Sequence, residues 1–226
     1  MLYDMPDISA VEYLHGLRYL ALNRTGRTGL NFAAFPTLIS LSLDWRPKSE
    51  SMFGCSSLEE LNVSGLPGPT LDELSQLQNL SKLSIAGGGI SKLSGRGRLS
   101  SVRELGLYYI TKLTDLDGIE NLRALEVLDV ETCKKIDQLD QISNLVRLKQ
   151  LTLANCGDIA SIKPIRNLKN LETVHFWEST NILDGGLSPL AGLPNLQDVR
   201  FKNRKHYSLR CEQSSPFGAN PEYPKK

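Results

Sequence analysis

The sequence lacks long apolar runs, a marked net charge and a secretory signal. No stretch of 18 apolar residues occurs, so a membrane-spanning helix is not expected. Charged residues make up 23% of the 226 residues and nearly cancel, to a net charge of +1, so no overall field marks a nucleic-acid or membrane partner. The first residues show no basic region followed by an apolar stretch, and we therefore expect a cytoplasmic location.

The sequence also lacks the motifs of common active sites. The Gly185-Gly186 pair has no Lys-Ser/Thr context of a phosphate-binding loop, and its segment, ESTNILDGGLSPL, is interpreted as a loop bulging from the rim. His175 has Glu178 and Asp129 nearby in the predicted register, but no nucleophile at a strained turn accompanies them. We therefore expect a protein that is not an enzyme and that holds no cofactor and no metal.

What the sequence does contain is an aliphatic pattern that repeats from end to end. One unit has the spacing L-x-x-L-x-x-L-x-L, and the pattern recurs every 20–25 residues. The period of three matches neither an α-helix nor a strand and is typical of 3₁₀-like segments, whereas the L-x-L element has the period of a strand. The first apolar residues of these strands are Leu20, Leu41, Leu61, Leu83, Leu105, Leu128, Leu151, Val174 and Val199.

The segment LTDLDGIENLRALEVLDVETCKKI shows the pattern at its most regular. It resembles the 22-residue class of leucine-rich repeats found in bacterial internalin-type proteins and in a regulatory subunit of protein phosphatase 1. The resemblance covers roughly residues 10–204. It implies an α/β solenoid, a leucine-rich-repeat horseshoe with about nine parallel strands on the concave face and 3₁₀ or irregular segments on the convex face. Such repeats are generic binding scaffolds, so the resemblance implies binding without naming the ligand.

Two cysteines occupy equivalent positions in successive repeats. Cys133 and Cys156 each lie five residues after a strand anchor, and their separation of 23 residues is one repeat period. In leucine-rich repeats this position holds Asn or Cys, whose side chain satisfies backbone groups at the turn that leaves the strand. We therefore predict a structural role for both thiols. Neither they nor Cys55 and Cys211 have C-x-x-C spacing, so no zinc site or disulfide framework is indicated.

The chain divides into two regions of different character. Residues 1–204 are predicted to form the solenoid, and their pattern starts within a repeat. An uncapped first strand would allow weak self-association of an otherwise monomeric protein, although a truncated or naturally short solenoid is the favoured interpretation. Residues 205–226 lose the repeat and are predicted to form a C-terminal cap followed by a mobile tail.

The side chains that flank the inward leucines are predicted to point out of the concave face. In the early repeats they are small, and from the fifth repeat onward they are aromatic and charged, as in interface hot spots. We predict a protein-binding site formed by Tyr108, Tyr109, Asp129, Glu131, His175, Trp177, Glu178, Arg200 and Lys202. An outward tryptophan needs a partner to cover it, or else it packs on neighbouring strands or under Arg200 as a cation–π contact.

The leading hypothesis is a protein-protein interaction module that binds a protein ligand on the concave face of the C-terminal repeats, as an adaptor or a toxin-immunity type protein. One alternative is nucleic-acid or other polyanion binding through a basic cluster, which comprises Arg200, Lys202, Arg204, Lys205 and Arg210. The same cluster could instead protect the last strand from edge pairing, and nucleic acid is therefore the less favoured ligand. A structural fragment of a larger protein is the remaining alternative.

Overall fold

One parallel sheet runs through the whole described chain. The computed structural model describes residues 7–22, 28–94 and 99–211. The sheet consists of nine strands stacked in sequence order; between its seventh and eighth members, and between its eighth and ninth, lie the strands of a separate small sheet. In chain order the strands are β1 (Tyr19–Leu22), β2 (Ser40–Asp44), β3 (Glu60–Ser64), β4 (Lys82–Ala86), β5 (Glu104–Tyr108), β6 (Val127–Glu131), β7 (Gln150–Ala154), β8 (Asp158–Ile159), β9 (Thr173–Trp177), β10 (Asn181–Ile182) and β11 (Asp198–Phe201).

The predicted strand anchors form a single row across this sheet. Leu20 pairs with Leu41, and the pairing continues anchor to anchor until Val174 pairs with Val199. All nine anchors are buried. Because each repeat places its leucines on the same side, the core is one continuous column between the sheet and the convex segments. The predicted solenoid of about nine parallel strands is confirmed.

The convex side is built from short 3₁₀ helices. They span Ser9–Tyr13, Phe32–Ala34, Ser49–Gly54, Asp72–Gln76, Ile119–Asn121, Asp140–Asn144 and Lys163–Asn167, and a single α-helical turn, α1, spans Ser188–Ala191. The amide of Leu122 donates to the carbonyl of Ile119 at 2.9 Å, and that of Leu125 to the carbonyl of Leu122 at 2.9 Å. These i→i+3 bonds bring leucines three residues apart onto the same inner side, as the period of three predicts.

The thiols of the repeat cysteines act as backbone donors. Cys133 Sγ lies 3.5 Å from the carbonyl oxygen of Leu107, and Cys156 Sγ lies 3.3 Å from that of Val130. Burial raises the pKa of the Cys133 thiol to about 11 and that of Cys156 to about 12, so both keep the proton that they donate. The predicted structural role of the two residues is confirmed.

Two polar side chains fill the equivalent position elsewhere and were not predicted. Thr180 Oγ1 donates to the carbonyl of Leu153 at 2.9 Å and accepts from the amide of Cys156 at 3.0 Å. In the second repeat the guanidinium of Arg46 donates to the carbonyl of Leu22. Both side chains are almost completely buried. The spacing of the repeats did not predict the role of Thr180, because its repeat has one extra residue between the strand anchor and this position.

The interpretation of the Gly185-Gly186 segment as a bulging loop was wrong. Within it, β10 pairs in parallel with β8 of the preceding repeat and forms a second, two-stranded sheet. Asp184 closes the following turn by accepting from the amide of Gly186 at 3.0 Å. The longer repeat therefore extends the pairing between repeats, because extra backbone groups at a convex turn are satisfied by the neighbouring repeat.

The two ends of the stack differ. At the C-terminal end Tyr207 is buried against the rings of Phe176 and Phe201, and its hydroxyl accepts from the amide of Ile182 at 2.9 Å. At the N-terminal end Tyr13, which ends the first 3₁₀ helix, and Tyr19, which begins β1, are 80% and 67% exposed. Self-association through this edge and the domain division after residue 204 stay predictions. The expected tail after residue 211 and the first apolar residues of the chain lie outside the described residues.

No helix in the described part of the chain is long and apolar enough to cross a membrane.

The role of Thr180 leads to a stability prediction. Thr180→Val keeps the shape of the side chain but leaves the amide of Cys156 and the carbonyl of Leu153 without this partner. We expect a loss of about 1–3 kcal/mol in the free energy of unfolding, measured by urea denaturation. Thr152→Val is the matched control, because Thr152 lies half-exposed on the concave face, and it should change stability by less than about 0.5 kcal/mol. Equal effects of the two substitutions would contradict the assignment.

Candidate protein-interaction face

Tyr108 and Asp129 form the first element of the predicted site. Gly106 pairs with Asp129 in the sheet, and the ring of Tyr108 folds back across Gly106. The Tyr108 hydroxyl donates to Asp129 Oδ2 at 3.0 Å. Burial, together with the nearby negative charge of Asp129, raises the pKa of Tyr108 to about 12, and burial also raises the pKa of Asp129. The predicted neighbours are therefore brought together in one half-buried pair.

The residues that follow the strands have an unusual backbone conformation. Gly65 and Gly87, which follow β3 and β4, have φ values of 75° and 60°. Glycine accepts this left-handed region without a steric penalty. The four equivalent residues in the next repeats are not glycine and have the same conformation: Tyr109 (φ 55°), Thr132 (φ 56°), Asn155 (φ 52°) and Glu178 (φ 56°). We call these four residues the strand-exit ridge.

A ladder of backbone hydrogen bonds connects most strand-exit residues to the next repeat. The amide of Tyr109 donates to the carbonyl of Glu131, and the amide of Thr132 donates to the carbonyl of Ala154, both at 2.9 Å. Residues 65, 87, 109, 132 and 155 keep this bond while the chain turns out of the sheet in left-handed conformation, whereas Trp45 donates to the carbonyl of Ser64 at 2.8 Å without it. A non-glycine residue in this backbone conformation normally lowers stability by about 1–3 kcal/mol. The side chains of the ridge therefore stand at positions where glycine would avoid a backbone cost.

Polar contacts connect the side chains along the ridge. The Tyr109 hydroxyl donates to Glu131 Oε1 at 3.2 Å, and the Tyr109 side chain is 56% exposed. Asn155 Nδ2 donates to Thr132 Oγ1 at 3.2 Å, and Ser179 Oγ donates to Asn155 Oδ1 at 2.6 Å. The ridge thus presents an exposed aromatic ring beside carboxylate and amide groups at the edge of the concave face.

His175 and Trp177 form the second element of the predicted site. Their ring centroids lie 5.0 Å apart with 31° between the planes. His175 Nε2 lies 3.0 Å from Asp198 Oδ2, and Arg200 holds the same carboxylate through two contacts, at 3.0 Å from Nε and 2.9 Å from Nη2. Burial lowers the pKa of His175, although Asp198 opposes the effect. Its ring is therefore mainly neutral at pH 7.

The acidic partner of His175 in the structure is Asp198, which the sequence analysis did not name. Arg200 forms its ion pair with Asp198, and the ring stacked beside Trp177 is that of His175. Asp198 was missed because it begins its strand, and only the middle and last outward positions of each strand were considered.

The first outward position of the strands holds further charges that the sequence analysis overlooked. Lys82 Nζ lies 3.2 Å from Glu104 Oε1 and 3.9 Å from Glu60 Oε1. One residue earlier in the repeats, Glu126 accepts from both Arg103 and Lys149. These ion pairs could have been predicted from the sequence, because residues of opposite charge occur one repeat apart and the parallel register places them side by side. Exposed pairs of this kind contribute little to stability.

The basic cluster is largely engaged within the chain. Arg204 Nη2 lies 3.1 Å from the carbonyl oxygen of Thr180 and 3.3 Å from that of Ser179, and Arg210 donates to the carbonyls of Arg204 and Lys205. Lys202 lies exposed just after β11 ends at Phe201, and Lys205 is also exposed. Lys202, a predicted site residue, therefore lies beyond the last strand of the sheet.

No protein-family model and no curated protein matches the sequence. The architecture is that of a leucine-rich-repeat solenoid. An internalin C2 from Listeria monocytogenes superposes with a TM-score of 0.61 at 23% identity over 84% of this chain and 82% of that chain. An internalin, inlF, from the same species gives 0.58 at 18% identity over 98% and 72%. A leucine-rich-repeat protein from Leptospira interrogans gives 0.50 at 18% over 88% and 58%. These similarities confirm the predicted fold.

The strand-exit ridge generates a prediction about stability. Thr132→Gly removes a β-branched side chain from left-handed backbone, so we expect the free energy of unfolding to rise by about 1 kcal/mol. For a chain of this size the melting temperature should increase by about 2–4 °C. Thr152→Gly, the same substitution in the middle of β7, should lower stability by about 0.5–1 kcal/mol. A decrease for both variants would show that the Thr132 backbone is not strained.

The pKa of His175 provides a second test of the site. Because Asp198 is the group that raises this pKa against the effect of burial, Asp198→Asn should lower it further, as measured by NMR titration of the imidazole. The folded state binds the proton less readily than the unfolded chain, so the contribution of His175 to stability should decrease as the pH falls below 6.5. His15, on the first repeats, serves as the internal reference. An increase of the His175 pKa in the variant would contradict the geometry.

Proposed function

We propose that this protein is an interaction module that binds a protein ligand through the C-terminal half of its concave face and the strand-exit ridge. The observation that carries the proposal is the change from glycine to larger side chains along the ridge. Gly65 and Gly87 fill this position at no steric cost, whereas Tyr109 and Glu178 fill it against a backbone penalty. Side chains kept at a position with a backbone cost support a role in binding a ligand.

The surroundings of the ridge fit a protein ligand. Trp177 lies half-exposed next to Glu178, and Tyr109 lies next to Tyr108 and Glu131. Aromatic side chains beside polar groups are typical of the residues that contribute most to protein interfaces. They stand on strands joined to both neighbouring repeats, so the surface is held in place before binding and little ordering cost remains.

The charges of this surface favour a basic partner. The carboxylates of Asp129, Glu131 and Glu178 have no lysine or arginine partner among the described residues, whereas Asp198 is neutralised by Arg200. A complementary basic surface would be attracted to these carboxylates and would approach faster than a neutral one. An adaptor or a toxin-neutralising protein would use such a surface, and either role fits this proposal.

Polyanion binding is the weaker alternative. Arg204 and Arg210 donate to backbone carbonyls, and Arg200 is paired with Asp198. These contacts fit a role in closing the last repeat. Lys202 and Lys205 remain as the exposed cations of the cluster. A polyanion ligand would also show a steep loss of affinity with salt, which separates it from the concave-face proposal.

The proposal includes a cytoplasmic location. The thiol protons of Cys133 and Cys156 donate to backbone carbonyls, so the fold uses the reduced form of both residues. A reducing compartment preserves this form.

The proposal is tested by affinity capture from the native host followed by binding measurements with the purified ligand. Trp177→Ala should weaken the affinity by about 30-fold, because a buried aromatic anchor contributes about 2 kcal/mol or more. Tyr109→Gly and Glu178→Gly should each weaken binding while the melting temperature is maintained or raised. This combination is the expected signature of side chains that serve a ligand and not the fold.

Leu183→Ala is the control, because Leu183 is 55% exposed and directly follows β10 of the small second sheet, outside the ridge and the concave strands. It should leave the affinity unchanged. The proposal fails if the captured protein binds the Trp177, Tyr109 and Glu178 variants as tightly as the parent, or if its affinity depends on the Leu183 control. A fall in affinity confined to a Lys202→Ala, Lys205→Ala double variant would favour the polyanion alternative.

A further inference from the structure

A depression of about 350 Å³ lies on the concave face over β3 to β6. Its floor is formed by the small residues Ser84 and Gly106, and Tyr108 and Asp129 border one side. Glu60, Lys82 and Glu104 border the side where the strands begin. This volume is near the lower end of the range for ligand sites, so it fits one side chain better than a large molecule.

The depression depends on the absence of a side chain at Gly106. A Cβ atom at this position would lie 2.5 Å from Tyr108 Cε2 and 2.6 Å from the Tyr108 hydroxyl oxygen. The ring of Tyr108 can therefore lie across the backbone of β5 only because residue 106 is glycine. Asp129 then fixes the ring through the hydroxyl at 3.0 Å. The wall of the depression is thus positioned without any ligand.

The groups around the depression carry an excess of negative charge. Lys82 is shared between Glu60 and Glu104, at 3.9 Å and 3.2 Å. Asp129 has the Tyr108 hydroxyl as a donor and no cation within 4 Å among the described residues. The depression is thus bordered by three carboxylates and one ammonium group. The carboxylate of Asp129 is partly removed from water beside the ring of Tyr108. A cation of matching size would be bound by charge and by the ring face.

We infer that the depression binds an arginine side chain of the protein ligand, with its guanidinium group between Asp129, Tyr108 and Glu104. Arginine fits better than lysine because its planar group pairs with a carboxylate through two parallel bonds and stacks on an aromatic ring. The inference rests on the proposed function, since it assigns the chemistry of one anchor of the same ligand. It adds a site over β3 to β6 that adjoins the ridge at Tyr109.

The test uses the full chain and a pair of blocked tripeptides, acetyl-Gly-Arg-Gly-amide and acetyl-Gly-citrulline-Gly-amide. Citrulline has the shape of arginine without its charge. Titration followed by amide NMR should give a Kd on the order of a few millimolar for the arginine peptide, with shifts centred on Ser84, Gly106 and Asp129. The citrulline peptide should bind at least about fivefold more weakly.

Two variants test the site itself. Asp129→Asn should reduce the affinity for the arginine peptide by at least about fivefold, and Gly106→Ala should abolish the localised shifts because its Cβ displaces the Tyr108 ring. Asp140→Asn removes the same charge on the convex side and should bind as the parent does. Thermal melting of each variant establishes that it is folded, and Asp129→Asn keeps the test valid if Gly106→Ala does not fold.

Equal binding of the two peptides, shifts that map away from the depression, or unchanged affinity in Asp129→Asn would each overturn the inference. These outcomes are independent of the proposed function. If the arginine peptide fails to bind while ligand capture still depends on Tyr109 and Trp177, the inference is wrong and the interaction module stands. If the peptide binds as expected and capture does not depend on the ridge, the proposed function is wrong in its assignment of the surface.

Discussion

Each repeat of this protein can bury its leucines only against the repeats on either side, so the whole molecule depends on parallel pairing in one fixed register. The anchors from Leu20 to Val199 form a single row because a shift by one residue would turn the leucines of a strand to the concave face. The same register aligns every other position of the repeat. It brings Gly106 opposite Asp129, and it places polar side chains such as Cys156 and Thr180 under successive carbonyls.

The backbone ladder at the strand exits is a second consequence of this register. From Gly65 to Asn155 each exit residue donates its amide to the next repeat and leaves the sheet in left-handed conformation. Glycine is the residue that does this most easily, and the third and fourth repeats use it at residues 65 and 87. From Tyr109 onward the chain holds side chains there instead. Under the proposed function, binding and stability oppose each other at this one position of the repeat, which makes the position informative even without a known ligand.

The sequence was sufficient for those features that repeat. The row of anchors and the 3₁₀ segments follow from spacing, because burial and hydrogen bonding recur with the period of the repeat. The role of the two thiols follows from the resemblance to leucine-rich repeats, in which their position holds Asn or Cys. It was insufficient where a repeat departs from the average. Thr180 is displaced by one residue, β10 lies in a segment rich in turn residues, and Asp198 begins a strand whose outward positions were counted from its middle. Among the predicted site residues, Tyr108 contacts Asp129 and His175 contacts Trp177. Their hydrogen-bond partners depend on side-chain orientations that spacing does not encode.

The distribution of charge across the concave face connects the two proposed contact regions. Where the strands begin, acidic and basic residues alternate from repeat to repeat and neutralise each other, as Lys82 does for Glu104. From the middle of the strands to their exits, Asp129, Glu131 and Glu178 have no such neighbours among the described residues, and aromatic rings take the adjacent positions. Tyr108 belongs to both regions, because its ring borders the depression and its strand leads into Tyr109. A ligand with basic groups spaced along one surface would therefore contact the depression and the ridge together, and two weak contacts joined in one molecule would bind far more tightly than either alone.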